Sequence, residues 1–146
     1  MKHKEITQQI IGVAYKVYNS LGFGFLESVY KKSMIIELQK ANLSVEDEKP
    51  LKVYYEETVV GDFFVDLYVE NEIVVELKSV KTIRKEHEVQ LVNYLNGLKL
   101  EIGLLINFGP SGVDKGSAAK ALREIYTILL PNCRIQCLDV IRSTNN

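Results

Sequence analysis

Residues 65–78 read VDLYVENEIVVELK. Side chains of a β-strand alternate between its two faces. In the second half of the stretch, Ile73, Val75 and Leu77 share one face, and Val74, Glu76 and Lys78 the other. In the first half, Phe64, Asp66 and Tyr68 share a face, with Phe63, Val65, Leu67 and Val69 opposite. ENE at 70–72 supplies the turn of an antiparallel hairpin, and that register sets Asp66 directly across from Glu76. One face is wholly apolar and belongs to a core. The other carries three charges beside aromatic and aliphatic neighbours and is expected to be half solvated.

Like charges facing each other across a hairpin destabilise it. Taking each ion out of water without compensation costs on the order of several kcal/mol. One lysine offsets two carboxylates only in part. A divalent cation completes the balance, and an all-oxygen donor set that retains waters suits Mg²⁺. The alternative is a cross-strand salt bridge on a wet face, worth about 0–1 kcal/mol. Acid-x-lysine is common on exposed strands, so the pattern alone leaves both open.

Outward from the hairpin, the flanking segments predict helices around a sheet. Ile6, Ile10, Val13, Ala14, Val17 and Leu21 recur at helical spacing over residues 4–20. LGFGF at 21–25 breaks that helix at Gly22 and Gly24, and a second is expected from Leu26 to Asn42, with Leu26, Val29, Tyr30 and Ile36 as its apolar positions. LKVYYEE (51–57), VGDFFVDLYVE (60–70) and EIVVELKSV (72–80) favour strands and read as a three-stranded meander. Leu91, Leu95 and Leu98 mark a helix over 84–98, GLLINF (103–108) a buried strand, and PSG (110–112) a turn. A helix over 116–130 and a strand over 134–141 close the chain. The order α-α-β-β-β-α-β-α-β makes an α/β (α+β) architecture, a mixed sheet flanked by helices.

The 146 residues fit a single domain. A net charge of −1 gives no global attraction to polyanions, so such a partner needs a local basic patch or metal ions. Two cysteines, Cys133 and Cys137, and two histidines make neither a disulfide framework nor a structural zinc site. The polar start MKHKEITQQ lacks the core of a signal peptide, and no apolar run reaches transmembrane length. The expected location is the cytoplasm, with no membrane partner.

Other polar residues could join the hairpin charges. His87, Gln90 and Tyr94 form one stripe on their helix, bordering its leucine face and so lying near any cleft above the sheet. Gln90 there could hold a water, a phosphate or a lysine, or simply meet solvent at a helix boundary. Glu27 opens the second helix, where the helix dipole favours an acid. It could also be a third carboxylate aimed at the hairpin.

Together these residues resemble the PD-(D/E)XK nuclease superfamily, and within it the small GxxExxY proteins. The motif stands here as Gly24–Phe25–Leu26–Glu27–Ser28–Val29–Tyr30. LGFGFLESVY, IVVELK, EVQLVNYL and GLLINFG follow the same pattern, over about residues 5–109. The resemblance implies a restriction-endonuclease-like core in which Asp66 is the first strand acid and Glu76 with Lys78 forms ExK. Gln90 and Tyr94 match the QxxxY of the RecB-like branch, and Glu27 the helical acid. It implies metal-dependent hydrolysis of phosphodiester bonds, with DNA expected over RNA. Asp66, Glu76, the Leu77 carbonyl and Glu27 would hold Mg²⁺ or Mn²⁺, Lys78 would assist the chemistry, and Lys81, Arg84 and Lys85 would meet the nucleic-acid backbone. The alternatives are a non-cleaving nucleic-acid-binding module and a protein-interaction module on the same fold.

Two departures stand out. Family members often carry Arg two residues before the strand acid, where this chain has Phe64. Residues 109–146 form an atypical extension whose helix could serve a homo-oligomer or cover a sheet edge.

Overall fold

The computed structural model describes residues 2–110, 122, 124–129 and 134–138. The helices are α1 (Lys2–Leu21), α2 (Glu27–Lys40) and α3 (Lys85–Leu98). The strands are β1 (Val45–Tyr55), β2 (Thr58–Val69), β3 (Ile73–Lys78), β4 (Ile102–Asn107), β5 (Glu124–Leu129) and β6 (Arg134–Leu138). The strands form one mixed sheet in sequence order. β1, β2 and β3 are an antiparallel meander, and α3 carries the chain over to β4, which lies parallel to β3. β5 and β6 add on antiparallel. The mixed sheet flanked by helices is the architecture expected from the sequence.

Helices pack on both faces of the sheet. Ile6, Ile10, Ala14 and Val17 of α1 join Tyr30, Met34 and Leu38 of α2 against Leu67, Val69, Ile73, Val75 and Leu77. Leu91, Tyr94 and Leu95 of α3 cover Val65, Tyr68, Val74 and Leu105 on the other side. Gly103 permits that packing: a Cβ there would come within 2.9 Å of the Leu91 side chain.

Four expectations need correction. First, residues 124–129 form strand β5, not the end of a helix. Ile125 packs toward α1 and α2 while Ile128 packs toward α3, a two-residue period that a helix cannot give. The rest of that expected helix, and residues 111–112 of the PSG turn, lie outside the described residues. An oligomer built on a helix there loses its basis over 124–129. Second, α2 buries Tyr30, Met34 and Leu38, whereas Leu26 and Ile36 are exposed. Third, β1 begins six residues early and tolerates Pro50 because it is an edge strand, where a missing N–H need not break a ladder. Fourth, the alternation of β2 breaks at Asp66. Val65 and Tyr68 both face α3 while Leu67 and Val69 face α1 and α2. Pairing lapses there on both sides: the β2–β3 ladder ends at Leu67↔Val75, and Glu48, across from Asp66, takes a positive φ of 52°.

Candidate active site

The hairpin register is the expected one. Val69 pairs with Ile73 around the 70–72 turn, where Glu70 and Asn71 adopt left-handed backbone. Continued past Leu67↔Val75, it sets Asp66 across from Glu76. At that point β2 peels away from β3 and the acids replace the missing ladder bonds. The Glu76 carboxylate accepts the Asp66 backbone N–H at 3.0 Å, and the Asp66 carboxylate accepts the Leu77 backbone N–H at 2.8 Å.

The charged face is less wet than the sequence implied. Glu76 is 5% exposed, because α3 covers that side of the sheet. Burial first, and then the Asp66 charge, push its carboxyl up to about 8. The Lys78 charge and the hydrogen bond from Asp66 act in the opposite direction without overcoming them. A surface salt bridge on a solvated face is therefore not what these residues make.

Glu27 reaches the notch from α2. It lines a cavity of about 190 Å³ with Ser28, Lys31, Asp66 and Leu77. Its position follows from the preceding loop. Gly24, at φ 119°, turns the chain into α2 through backbone few other residues adopt. The buried Tyr30 hydroxyl donates to the Gly22 carbonyl and accepts the Phe25 N–H at 3.3 Å, while its ring stacks on Phe108 at 4.4 Å. Ser79, just past β3, donates to the Phe25 carbonyl at 2.8 Å, tying this loop to the strand that carries Glu76.

Tyr94 is buried under β2, with its ring 5.9 Å from that of Phe63. Burial, then the Glu76 and Asp66 charges, raise its hydroxyl pKa. Gln90, one turn earlier, lines with Tyr94 an open groove of about 1000 Å³ between α3 and the β1–β2 arm. His87 instead accepts the Arg84 N–H on Nδ1 at 3.0 Å and caps α3. Lys81, Arg84 and Lys85 are exposed around the β3–α3 loop.

Sequence reasoning missed what holds that loop. Asn107, 1% exposed, accepts the Val80 N–H at 3.0 Å and donates to the Val80 carbonyl and to Glu124, each at 2.9 Å. Glu124 also accepts the Ile83 N–H. The pairing of Lys78 with Asn107 across the parallel strands creates this clamp, and no local pattern announces it. Lys31 was missed too, although its spacing of four from Glu27 was a signal. Its ammonium bonds Asp47 at 2.9 Å and Glu48 at 3.0 Å. Burial alone would lower its pKa, but those two carboxylates outweigh it and the value is raised. Phe64 is exposed, and Lys31 is the cation among the residues lining the Glu27–Asp66 cavity.

Among the described residues, no three acidic, histidine or cysteine side chains close into a ready-made metal cluster. The donor chemistry nevertheless fits a hard divalent cation: carboxylate oxygens of Glu27, Asp66 and Glu76, with the Leu77 main chain beside them. Burial and then the Asp66 charge raise the Glu76 pKa, and such an ion offsets both.

A family model for the PD-(D/E)XK nuclease superfamily matches residues 4–119, and the chain belongs to that superfamily. No curated protein matches. Among solved structures, the crystal structure of SSO0001 is similar at 21% identity and a TM-score of 0.44, over 57% of this chain and 44% of that one. This chain thus spans less than half the length of that protein.

Proposed function

We propose that the protein is a metal-dependent nuclease that hydrolyses phosphodiester bonds, with DNA favoured over RNA, and that it falls in the GxxExxY group near the RecB-like branch. The observation that carries this is the reciprocal Asp66–Glu76 arrangement in the notch between β2 and β3. Two adjacent acids, one of them buried, make a poor structural element and a sound cation site. Asp66, Glu76, the Leu77 carbonyl and Glu27 hold Mg²⁺ or Mn²⁺. The bound ion supplies Lewis-acid polarisation of the phosphate. Lys78, at the end of β3, donates to phosphate oxygens as negative charge develops. Lys31 meets the phosphate from the α2 side. Gln90 orients the scissile group, and Tyr94 supports Glu76 from beneath. Lys81, Arg84 and Lys85 contact the flanking backbone.

The test incubates the protein with Mg²⁺ or Mn²⁺ and a panel of single-stranded, duplex and branched DNA and RNA, alongside Asp66→Ala and Lys78→Ala. Cleavage by the wild type and by neither variant is expected. Cleavage surviving both substitutions overturns the site. Tight binding with no cleavage favours a non-cleaving module, a reading to which the exposed Phe64 lends some weight.

A further inference from the structure

β1 and β2 run past the body of the sheet as a two-stranded arm closed by Glu56 and Glu57, both in left-handed backbone. The arm buries little. Tyr54 is 61% exposed and Phe63 41%. Both side chains line the groove that the arm makes with α3, as do Gln90 and Tyr94 of the candidate site. Lys52 comes from the arm and Lys85 from the start of α3, against a single acid, Glu86, among the described lining residues. At about 1000 Å³ the groove stands at the upper end of ordinary ligand clefts.

This lining has a chemical signature. Exposed rings with interspersed cations bind planar groups attached to an anionic backbone. A duplex presents its phosphates and hides the faces of its bases, so rings in a groove find nothing to stack on. A single strand offers both base faces and phosphates. Tyr94, which lines the groove, also lies near the notch: after burial, the Glu76 and Asp66 charges raise its hydroxyl pKa.

We infer that this groove binds single-stranded nucleic acid, stacking unpaired bases on Tyr54 and Phe63 and pairing phosphates with Lys52 and Lys85, and so presents a single strand to the notch. The inference rests on the nuclease reading for its purpose, but binding can be measured without cleavage.

The experiment measures fluorescence anisotropy of labelled oligonucleotides of about a dozen residues, as single-stranded DNA, single-stranded RNA and duplex DNA. The full chain is used, in EDTA so that nothing is cut. The single strands are expected to bind more tightly than duplex, with the DNA and RNA arms deciding between the two sources. Tyr54→Ala, at an exposed position that does not threaten the fold, is expected to weaken single-strand binding about tenfold. Phe63→Leu keeps the packing on Tyr94 and loses the ring, and should weaken it several-fold. Equal or tighter binding of duplex overturns the inference, as does Tyr54→Ala with unchanged affinity. A wild-type dimer in sedimentation that Tyr54→Ala dissociates overturns it in favour of a second copy of the chain. Single-strand binding without cleavage in Mg²⁺ sustains the groove and fails the nuclease. Duplex cleavage indifferent to Tyr54→Ala does the reverse.

Discussion

Asp66 and Glu76 each use a carboxylate to hold the other strand: Glu76 accepts the Asp66 N–H at 3.0 Å, and Asp66 accepts the Leu77 N–H at 2.8 Å. Side chains thus take over where the backbone ladder stops at Leu67↔Val75. The exchange lets β2 leave the sheet as the arm while keeping the two acids adjacent. Fold and candidate chemistry depend on the same pair of bonds, so changes to either acid must be separated into effects on stability and effects on activity.

Glu76 makes that separation possible through pH. Its carboxyl would titrate near 4.5 in the unfolded chain and is pushed up to about 8 in the fold. The folded value is the higher one, so its contribution to stability is fully present below the unfolded value and is lost as pH rises toward 8. Denaturation of the metal-free protein should therefore show stability falling between about pH 5 and 8. Glu76→Gln keeps an acceptor for the Asp66 N–H and removes the ionisation. It should flatten the profile and leave the variant more stable than wild type at pH 8, while abolishing cleavage. Parallel profiles for the two proteins would mean that another group titrates.

The sequence made the hairpin legible because its signals are local: alternation, a three-residue turn, and acids set by register. The break at Gly24 before α2 was legible too, because a glycine there frees the backbone. What escaped depends on contacts distant in sequence. The burial of Glu76 comes from α3 crossing over it, and the flip of β2 at Asp66 comes from lapsed pairing on both sides. Residues 124–129 misled for a different reason. EIYTIL satisfies short helical and strand periods alike, and only the presence of β4 beside it decides for the strand. Asn107 lies in an apolar run, where its amide gave no hint of Val80 and Glu124.

Tyr30 is expected to act as a positioning residue for Glu27. Tyr30→Phe retains the stack on Phe108 and loses both hydroxyl bonds, to Gly22 and Phe25. Stability should fall by about 1–2 kcal/mol in chemical denaturation. Cleavage should then need several-fold more Mg²⁺ while its rate at saturating metal stays near wild type, because Glu27 is displaced but present. A loss of stability with an unchanged metal requirement would leave Tyr30 a purely structural residue.

The Asn107 clamp predicts a change in nucleic-acid binding from a residue facing away from any ligand. Asn107→Leu fits an apolar strand but leaves both Val80 backbone groups without their partner and takes one donor from Glu124, which keeps the Ile83 N–H. Unfolding should be easier by about 2–3 kcal/mol. The loop bearing Lys81 and Arg84 then loses its anchor at Val80 while keeping the Ile83 bond to Glu124, so nucleic-acid affinity should drop and its salt dependence become shallower. Salt titrations of wild type and variant check this at a temperature where both are folded. An unchanged slope would show that the loop cations make no phosphate contacts.

Lys31 carries the last prediction, because it lies where the chain needs a cation. Phe64 offers none, and Lys31 lines the Glu27–Asp66 cavity with its ammonium held by Asp47 and Glu48. Its side chain is 14% exposed, whereas both partners are about half exposed or more, so solvent screens the pairs and their contribution to stability should stay within about 1 kcal/mol. Lys31→Met should therefore fold nearly as well as wild type yet raise KM about tenfold, consistent with losing one phosphate contact of roughly 1.4 kcal/mol, with kcat less affected. Lys31→Arg should retain most activity. The decisive variant is Phe64→Arg in the Lys31→Met background. If a cation at the cavity is the requirement, placing one on β2, two residues before Asp66, should restore KM. Failure of Lys31→Met to change KM would show that the ammonium serves only Asp47 and Glu48. A tenfold rise that Phe64→Arg does not repair would mean that the cation must come from α2 in this fold.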